Sequence, residues 1–110
     1  MNDIMAMPAS ATATAPTSNG GKYLQQLCKH WAHNLAVELT ANHGRVTFPK
    51  DARGADFPAD ATATFDATAD SLIVRIDASS AEQLDALKGA VARHLDRFAF
   101  REAPLPFDWR

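Results

Sequence analysis

The chain has 110 residues, 46% of them hydrophobic, with a formal net charge of −2 and one cysteine. That length supports one core and little more, and the slightly acidic balance with no Lys or Arg cluster sets nucleic acid and anionic membranes aside, since both need a basic face. A lone thiol forms no internal disulfide and no stretch approaches the roughly 20 apolar residues that span a bilayer, so a reducing cytoplasm is the expected compartment.

Residues 1–21 are rich in Ala, Thr, Ser and Pro, with Asp3 as their one charge. Pro8, Ser10, Thr12 and Thr14 interrupt the hydrophobic middle that a secretory leader needs. The composition buries too little to fold, so residues 1–21 are expected to be a disordered tail and 22–110 a single domain. Thr17, Ser18 and Asn19 offer side-chain oxygens to cap a helix beginning near Lys22.

From Tyr23 to His33 the sequence YLQQLCKHWAH reads as an amphipathic helix. At 3.6 residues per turn, Leu24, Leu27, Trp31 and Leu35 form one apolar stripe, with Cys28 and Ala32 on its edge. Tyr23, Gln26, His30 and His33 form a separate flank on the other side. One helix therefore does not bring Cys28 and His33 to the same ion, although the string CKHWAH resembles a chelator on paper.

The period then drops to two. Leu35, Val37 and Leu39 alternate with polar or small residues as a half-buried strand, Ala41-Asn42-His43-Gly44 forms a turn with His43 exposed in it, and Arg45 to Phe48 returns with Val46 and Phe48 inward. Residues 49–60, PKDARGADFPAD, form a long solvated connection with Phe57 as its anchor; Asp51-Ala52-Arg53-Gly54 lacks the ligand order of a calcium loop. Ala61 to Asp66 and Ser71 to Asp77 are two more strands, with Ala63, Phe65, Leu72, Val74 and Ile76 inward.

A second helix opens on Ser79-Ser80-Ala81-Glu82, a serine-x-x-glutamate capping box, and buries Leu84, Leu87, Val91, Leu95 and Phe98. Lys88 and Arg93 point away from that stripe and His94 lies on its margin. Gly89 costs about 1 kcal/mol of helix stability and marks a close approach of the sheet or the first helix. Pro104 ends the helical run, and Phe98, Phe100, Leu105, Phe107 and Trp109, too apolar for a free tail, are expected to wrap back over the core. The expected fold is α+β: helix, four-stranded antiparallel meander, helix, with both helices on one sheet face and the other face wet.

With Tyr23-Leu24, Leu27 to Trp31, His33, Gly44, Phe48-Pro49, His94-Leu95, Arg97 to Glu102 and Trp109 in place, the chain resembles a bacterial family catalogued as domain of unknown function 2218, over roughly residues 15–110. The resemblance implies a small bacterial cytoplasmic α+β domain with no established activity. Similar domains occur fused to siderophore-interacting, flavin-dependent ferric reductases, which implies an iron or siderophore context. The connection 49–60 is long for the family pattern and these residues include no reductase portion, so iron release is not carried over. The matched Tyr23, His30, Trp31, His33, His94, Arg101 and Glu102 have no assigned role there.

Two functional classes follow. In the preferred one the domain is a cytoplasmic binding or accessory module, with Tyr23, His30 and His33 and the segment Arg97, Arg101, Glu102 forming a patch for a protein partner or a small anionic ligand. Arg97 and Arg101 share a face there if that segment is extended. The alternative is a metal- or haem-binding protein, or a small enzyme, built on converging His30, His33 and His94. No phosphate loop, nucleophile elbow or favourable Cys-His arrangement supports catalysis, and Cys28 is expected to be a buried, inert thiol.

Overall fold

A computed structural model describes residues 8–110. In chain order it contains β1 (Ala9–Pro16), α1 (Gly20–Trp31), β2 (Ala36–Leu39), β3 (His43–Phe48), a 3-10 turn (Ala52–Gly54), β4 (Ala61–Ala67), β5 (Ser71–Ala78) and α2 (Ala81–Phe98). The strands form one antiparallel sheet in the order β1-β5-β4-β3-β2. Both helices pack on the same sheet face, α1 over β3 and β4 and α2 over β5 and β1. No helix among the described residues is long and apolar enough to cross a membrane.

The sheet has five strands, not the four expected, because β1 lies inside the stretch read as a disordered tail. Residues 1–7 of that tail lie outside the described residues. The strand ASATATAP alternates with period two: Ala11, Ala13 and Ala15 are buried while Thr14 and Pro16 face out. Alanine is a weak strand former, yet here it is the side chain that fits, since the edge beside β5 lies beneath α2 and a larger residue would lift the helix.

Each inward row crosses the strands in register. Ala13, Val74, Phe65, Gly44 and Leu39 make one such row, and Ala11, Ile76, Ala63, Val46 and Val37 make the next. The reverse face carries Thr12, Arg75, Thr64, Arg45 and Glu38 in one row, so it is polar across all five strands. His43 belongs to β3 rather than to the preceding turn. Its Nδ1 lies 2.6 Å from Asp66 Oδ1 on its cross-strand partner, and the hairpin closes through Thr40 N donating to His43 O at 2.8 Å.

Helix α1 buries Tyr23, Leu24, Leu27, Cys28 and Trp31. Asn19 is its N-cap but makes no side-chain cap hydrogen bond; Thr17 Oγ1 instead accepts from Asn19 N at 3.0 Å, so the expected side-chain capping does not form. The cap of α2 is displaced by one residue from the expected box. Ser80 Oγ accepts from Gln83 N at 3.1 Å, and Gln83 Oε1 accepts from Ser79 N at 2.7 Å, while Glu82 stays exposed. Gln83 wins over Glu82 because it lies in the buried stripe one turn before Leu87, where a neutral amide is far less costly to bury than a carboxylate.

Past α2, Leu105 is buried, its N–H donating to Asp96 Oδ1 at 3.0 Å, and Phe107 stacks on Trp109 with ring centroids 5.7 Å apart. Arg110 then exchanges two backbone hydrogen bonds with Thr12, at 2.8 and 2.9 Å, on the outer edge of β1. The C-terminal segment thus covers the core and pairs at Arg110 with the edge of β1, but Phe100 does not join the wrap expected of it, because it sits in the turn directly after α2 and faces solvent.

Helix α1 approaches the sheet closely at Cys28 and Gly44: a Cβ built on Gly44 would lie 2.5 Å from Cys28 Sγ. Gly44→Ala should therefore cost about 1–3 kcal/mol in urea unfolding, as overpacking does, and Cys28→Ala in the same chain should recover part of that loss. Strictly additive costs would separate the two sites.

Cys28 is fully buried and burial pushes its thiol up to about 11. Reaction with a maleimide near pH 7.5 should accordingly wait on unfolding, and labelling at the rate of a free thiol in native buffer would contradict the packing.

Candidate functional site

The C-terminal end of α1, the middle of α2 and the 49–60 connection surround a cleft of about 820 Å³. Its floor is Trp31, whose ring meets Phe48 edge-on at 5.1 Å and lies 6.4 Å from Phe65. Phe57, Leu35 and Leu87 add apolar wall, and His30, His94, Arg93, Asn34 and Asp51 supply polar groups.

The connection holds its side of the cleft through hydrogen bonds that residue types alone did not announce. Lys50 N donates to Asp60 Oδ1 at 2.9 Å and Phe57 N to Lys50 O at 3.1 Å, which closes its neck. Gln83 Nε2 donates to Ala59 O at 3.0 Å, and Ser79 Oγ lies 3.1 Å from the same oxygen. Gln83 is only 1% exposed, and its amide ties the start of α2 to the connection. The connection is solvated over most of its length and Phe57 is half-buried, as expected, but these hydrogen bonds also pin it as one wall of the cleft.

His30 and His94 do come together, with ring centroids 5.9 Å apart; His94 also lies 5.1 Å from the Trp31 ring and His30 6.0 Å from Phe98. His94 Nδ1 lies 2.6 Å from Ala90 O. A carbonyl oxygen only accepts, so Nδ1 carries the proton, and in the neutral ring Nε2 is left with its lone pair. His33 does not join them. Helix α1 ends at Trp31, His33 falls in the following turn, exposed, and it does not line the cleft. The three-histidine centre therefore loses a member, and among the described residues no three His, Cys, Asp or Glu side chains are grouped to hold a metal.

Tyr23 belongs to a second constellation. It is buried, and its hydroxyl donates to Glu102 Oε2; Thr17 Oγ1 and Asn19 Nδ2 donate to the same oxygen at 3.0 and 3.2 Å. Glu102 thus ties the turn after α2 to the β1–α1 junction rather than pairing with Arg101. Arg97 sits in the last turn of α2 and Arg101 in the turn beyond, both exposed, because the helix runs on to Phe98; the extended Arg97–Arg101 face does not form. Arg101 instead lies 5.7 Å from the ring of Phe100, which is 69% exposed.

Of the residues that sequence reasoning missed, Gln83 had a signal: it is a polar residue in register with Leu87 and Val91 on the buried stripe. Arg93 had none, since it lies off that stripe. Trp31 and Phe48 read as core, and they are buried while also forming the cleft floor.

These features define a class: a small α+β domain with one open polar sheet face and, on the helix side, an aromatic-floored cleft between two helices and a pinned connection. Within that class, the chain belongs to the family described as an uncharacterised protein conserved in bacteria, DUF2218, whose model matches residues 12–110. The chain is also similar to PA4090 from Pseudomonas aeruginosa, solved by NMR, with a TM-score of 0.70 and 26% identity over 92% of this chain and 94% of that one. No curated protein matches the chain.

The Tyr23–Glu102 tie is open to titration. The Tyr23 hydroxyl, then Asn19 and Thr17, hold the Glu102 carboxyl below its ordinary value of 4.5, and the same bond to Glu102, followed by burial, raises the Tyr23 phenol above 10.0. A carboxyl lowered in the folded state stabilises fully above its unfolded value, and that contribution is lost as pH falls through the folded value. A raised phenol behaves oppositely, its contribution present below the unfolded value and lost as pH rises through the folded one. Glu102→Gln should therefore lose less melting temperature than the parent between about pH 6 and pH 3, and Tyr23→Phe should lose less above about pH 10. Parallel pH profiles for parent and variants would remove this tie from the account.

Proposed function

We propose that this domain is a binding module for a small organic ligand, taken up in the cleft between α1, α2 and the 49–60 connection. The observation that carries this reading is His94: its ring is oriented by the Ala90 carbonyl at 2.6 Å, packed beside Trp31, and lines the cleft together with His30. The volume of about 820 Å³ falls within the range of roughly 300–1,000 Å³ found for small-molecule sites. Apolar walls with a few convergent polar groups are the usual composition of such sites.

Binding is favoured over catalysis because the cleft offers two imidazoles and no nucleophile with a paired base. The buried thiol and the net charge of −2 support a reducing cytoplasm and a ligand other than nucleic acid. The iron or siderophore context implied by the family resemblance becomes one arm of the same test. Two imidazoles are too few ligands for a closed metal site, so a ferric chelate would have to bring its own donors.

The test is a fragment screen on the isotope-labelled chain, with hits mapped by amide shifts and checked by Trp31 fluorescence in a Trp109→Phe background. Hits should cluster on His30, Trp31, Phe57 and His94. His94→Phe keeps a ring against Trp31 but removes Nε2, so it should weaken a hydrogen-bonding hit about tenfold, near 1.4 kcal/mol. Its melting temperature should barely move, because the Ala90 carbonyl already serves the helix ladder. Hits confined to the Arg97–Arg101 turn or to the open sheet face would overturn the cleft reading; a ferric chelate that shifts the cleft residues where its metal-free form does not would support the iron arm.

A further inference from the structure

Gly89 stands in the interior of α2, where glycine costs about 1 kcal/mol against alanine. The backbone gives no reason for it, since the one described glycine with positive φ is Gly54. The sheet and α1 give none either. The three atoms nearest to a Cβ built at position 89 all belong to Arg93: Nη1 at 2.8 Å, Cζ at 3.6 Å and Nη2 at 3.8 Å. The close approach expected at Gly89 is therefore made by a side chain of its own helix, one turn on. The guanidinium of Arg93 lies back over bare helix backbone in the space a methyl group would fill.

Arg93 also lines the cleft beside His94, at its exposed rim. Among the described residues no carboxylate pairs with it: the ion pairs are His43–Asp66, Arg75–Asp77 and Arg110–Asp108. Asp51 is the one carboxylate lining the cleft, and it does not reach Arg93. A planar fork of donors with no partner in the fold, at the margin of an apolar cleft, matches a carboxylate in geometry and charge.

We propose that the ligand of this cleft is an organic acid, its hydrocarbon or aromatic part lying over Trp31 and its carboxylate taken by Arg93, and that Gly89 sets the resting position of the guanidinium by leaving room for it. The inference rests on the ligand-binding reading above. Arg93 supplies the charge, Trp31, Phe57 and Leu87 supply apolar surface, and His94 Nε2 accepts from a hydroxyl or amide where the ligand carries one. Arg97 and Arg101 are exposed as Arg93 is, but neither lines the apolar cleft that would make such a site selective.

The probes are 1-naphthoate and its neutral counterpart 1-naphthalenemethanol, titrated into the full chain by calorimetry and by amide shifts of the cleft residues. The acid should bind at least tenfold tighter than the alcohol, and rising salt should narrow the gap. Arg93→Gln should remove most of that preference and Gly89→Ala should reduce it, both changing the acid's affinity far more than the alcohol's, while Arg93→Lys keeps part of it. Gly89→Ala is the decisive variant, because alanine improves the helix: its melting temperature should hold or rise while acid binding falls. Acid and alcohol binding equally well in the cleft would overturn the organic-acid proposal and leave the ligand-binding reading standing. Neither probe touching the cleft would overturn both, and undiminished acid binding by Gly89→Ala would overturn the role given to that residue.

Discussion

The contact on which the architecture depends is that of Cys28 with the bare Cα of Gly44. Only a glycine in β3 lets α1 sit this close to the sheet, and Phe65, the cross-strand neighbour of Gly44, fills the space beside it. The seating of α1 sets the height of Trp31 three residues later, and Trp31 in turn touches Phe48, Phe65 and His94. Moving the helix outward by the radius of a methyl group would separate the aromatic floor of the cleft from its walls. The core contact and the candidate site are thus one piece of packing.

Polar groups divide into those that hold the frame and those left over. Gln83, Ser79 and Ala59 satisfy one another at the start of α2, and Glu102 gathers three donors from the β1–α1 junction and α1. Among the described residues no buried side-chain nitrogen or oxygen lacks a partner. The groups with spare capacity lie nearer the surface: His94, half-buried with one ring nitrogen engaged, His30 exposed beside it, and Arg93 exposed over Gly89. All three border the same cleft. Polar groups gathered at the rim of an apolar cleft have the composition of a small-molecule site.

How much was legible differs by residue, and for physical reasons. The burial of Leu24, Leu27, Cys28 and Trp31, the inward set of β4 and β5, and the return of Leu105 over the core all follow from periodicity and apolar content, which act locally and leave a mark in the sequence. The strand β1 carried the same mark in its Ala–Thr alternation. Its residues are too small to signal burial by themselves, because alanine gains little from leaving water and earns a core position only where neighbours demand a thin side chain. The N-terminal box of α2 was read one residue early for a related reason: Glu82 and Gln83 both suit the motif, and burial chose the neutral one.

The amino-acid sequence by itself determined the two helices, four of the strands, the polar and apolar faces and the family resemblance, since each is written in the spacing of neighbouring residues. Tertiary structure alone decided that β1 joins the sheet as an edge strand, that His94 meets His30 and not His33, that Glu102 takes Tyr23, and that Gly89 makes way for Arg93. These pairings, apart from the last, join residues far apart in the chain, and their partners are chosen by where the close seating of α1 lets each side chain arrive. In the last case the spacing is a single helical turn, but many arginines lie one turn from a glycine. What singles this one out is the cleft beside it, which two helices and a pinned connection build together.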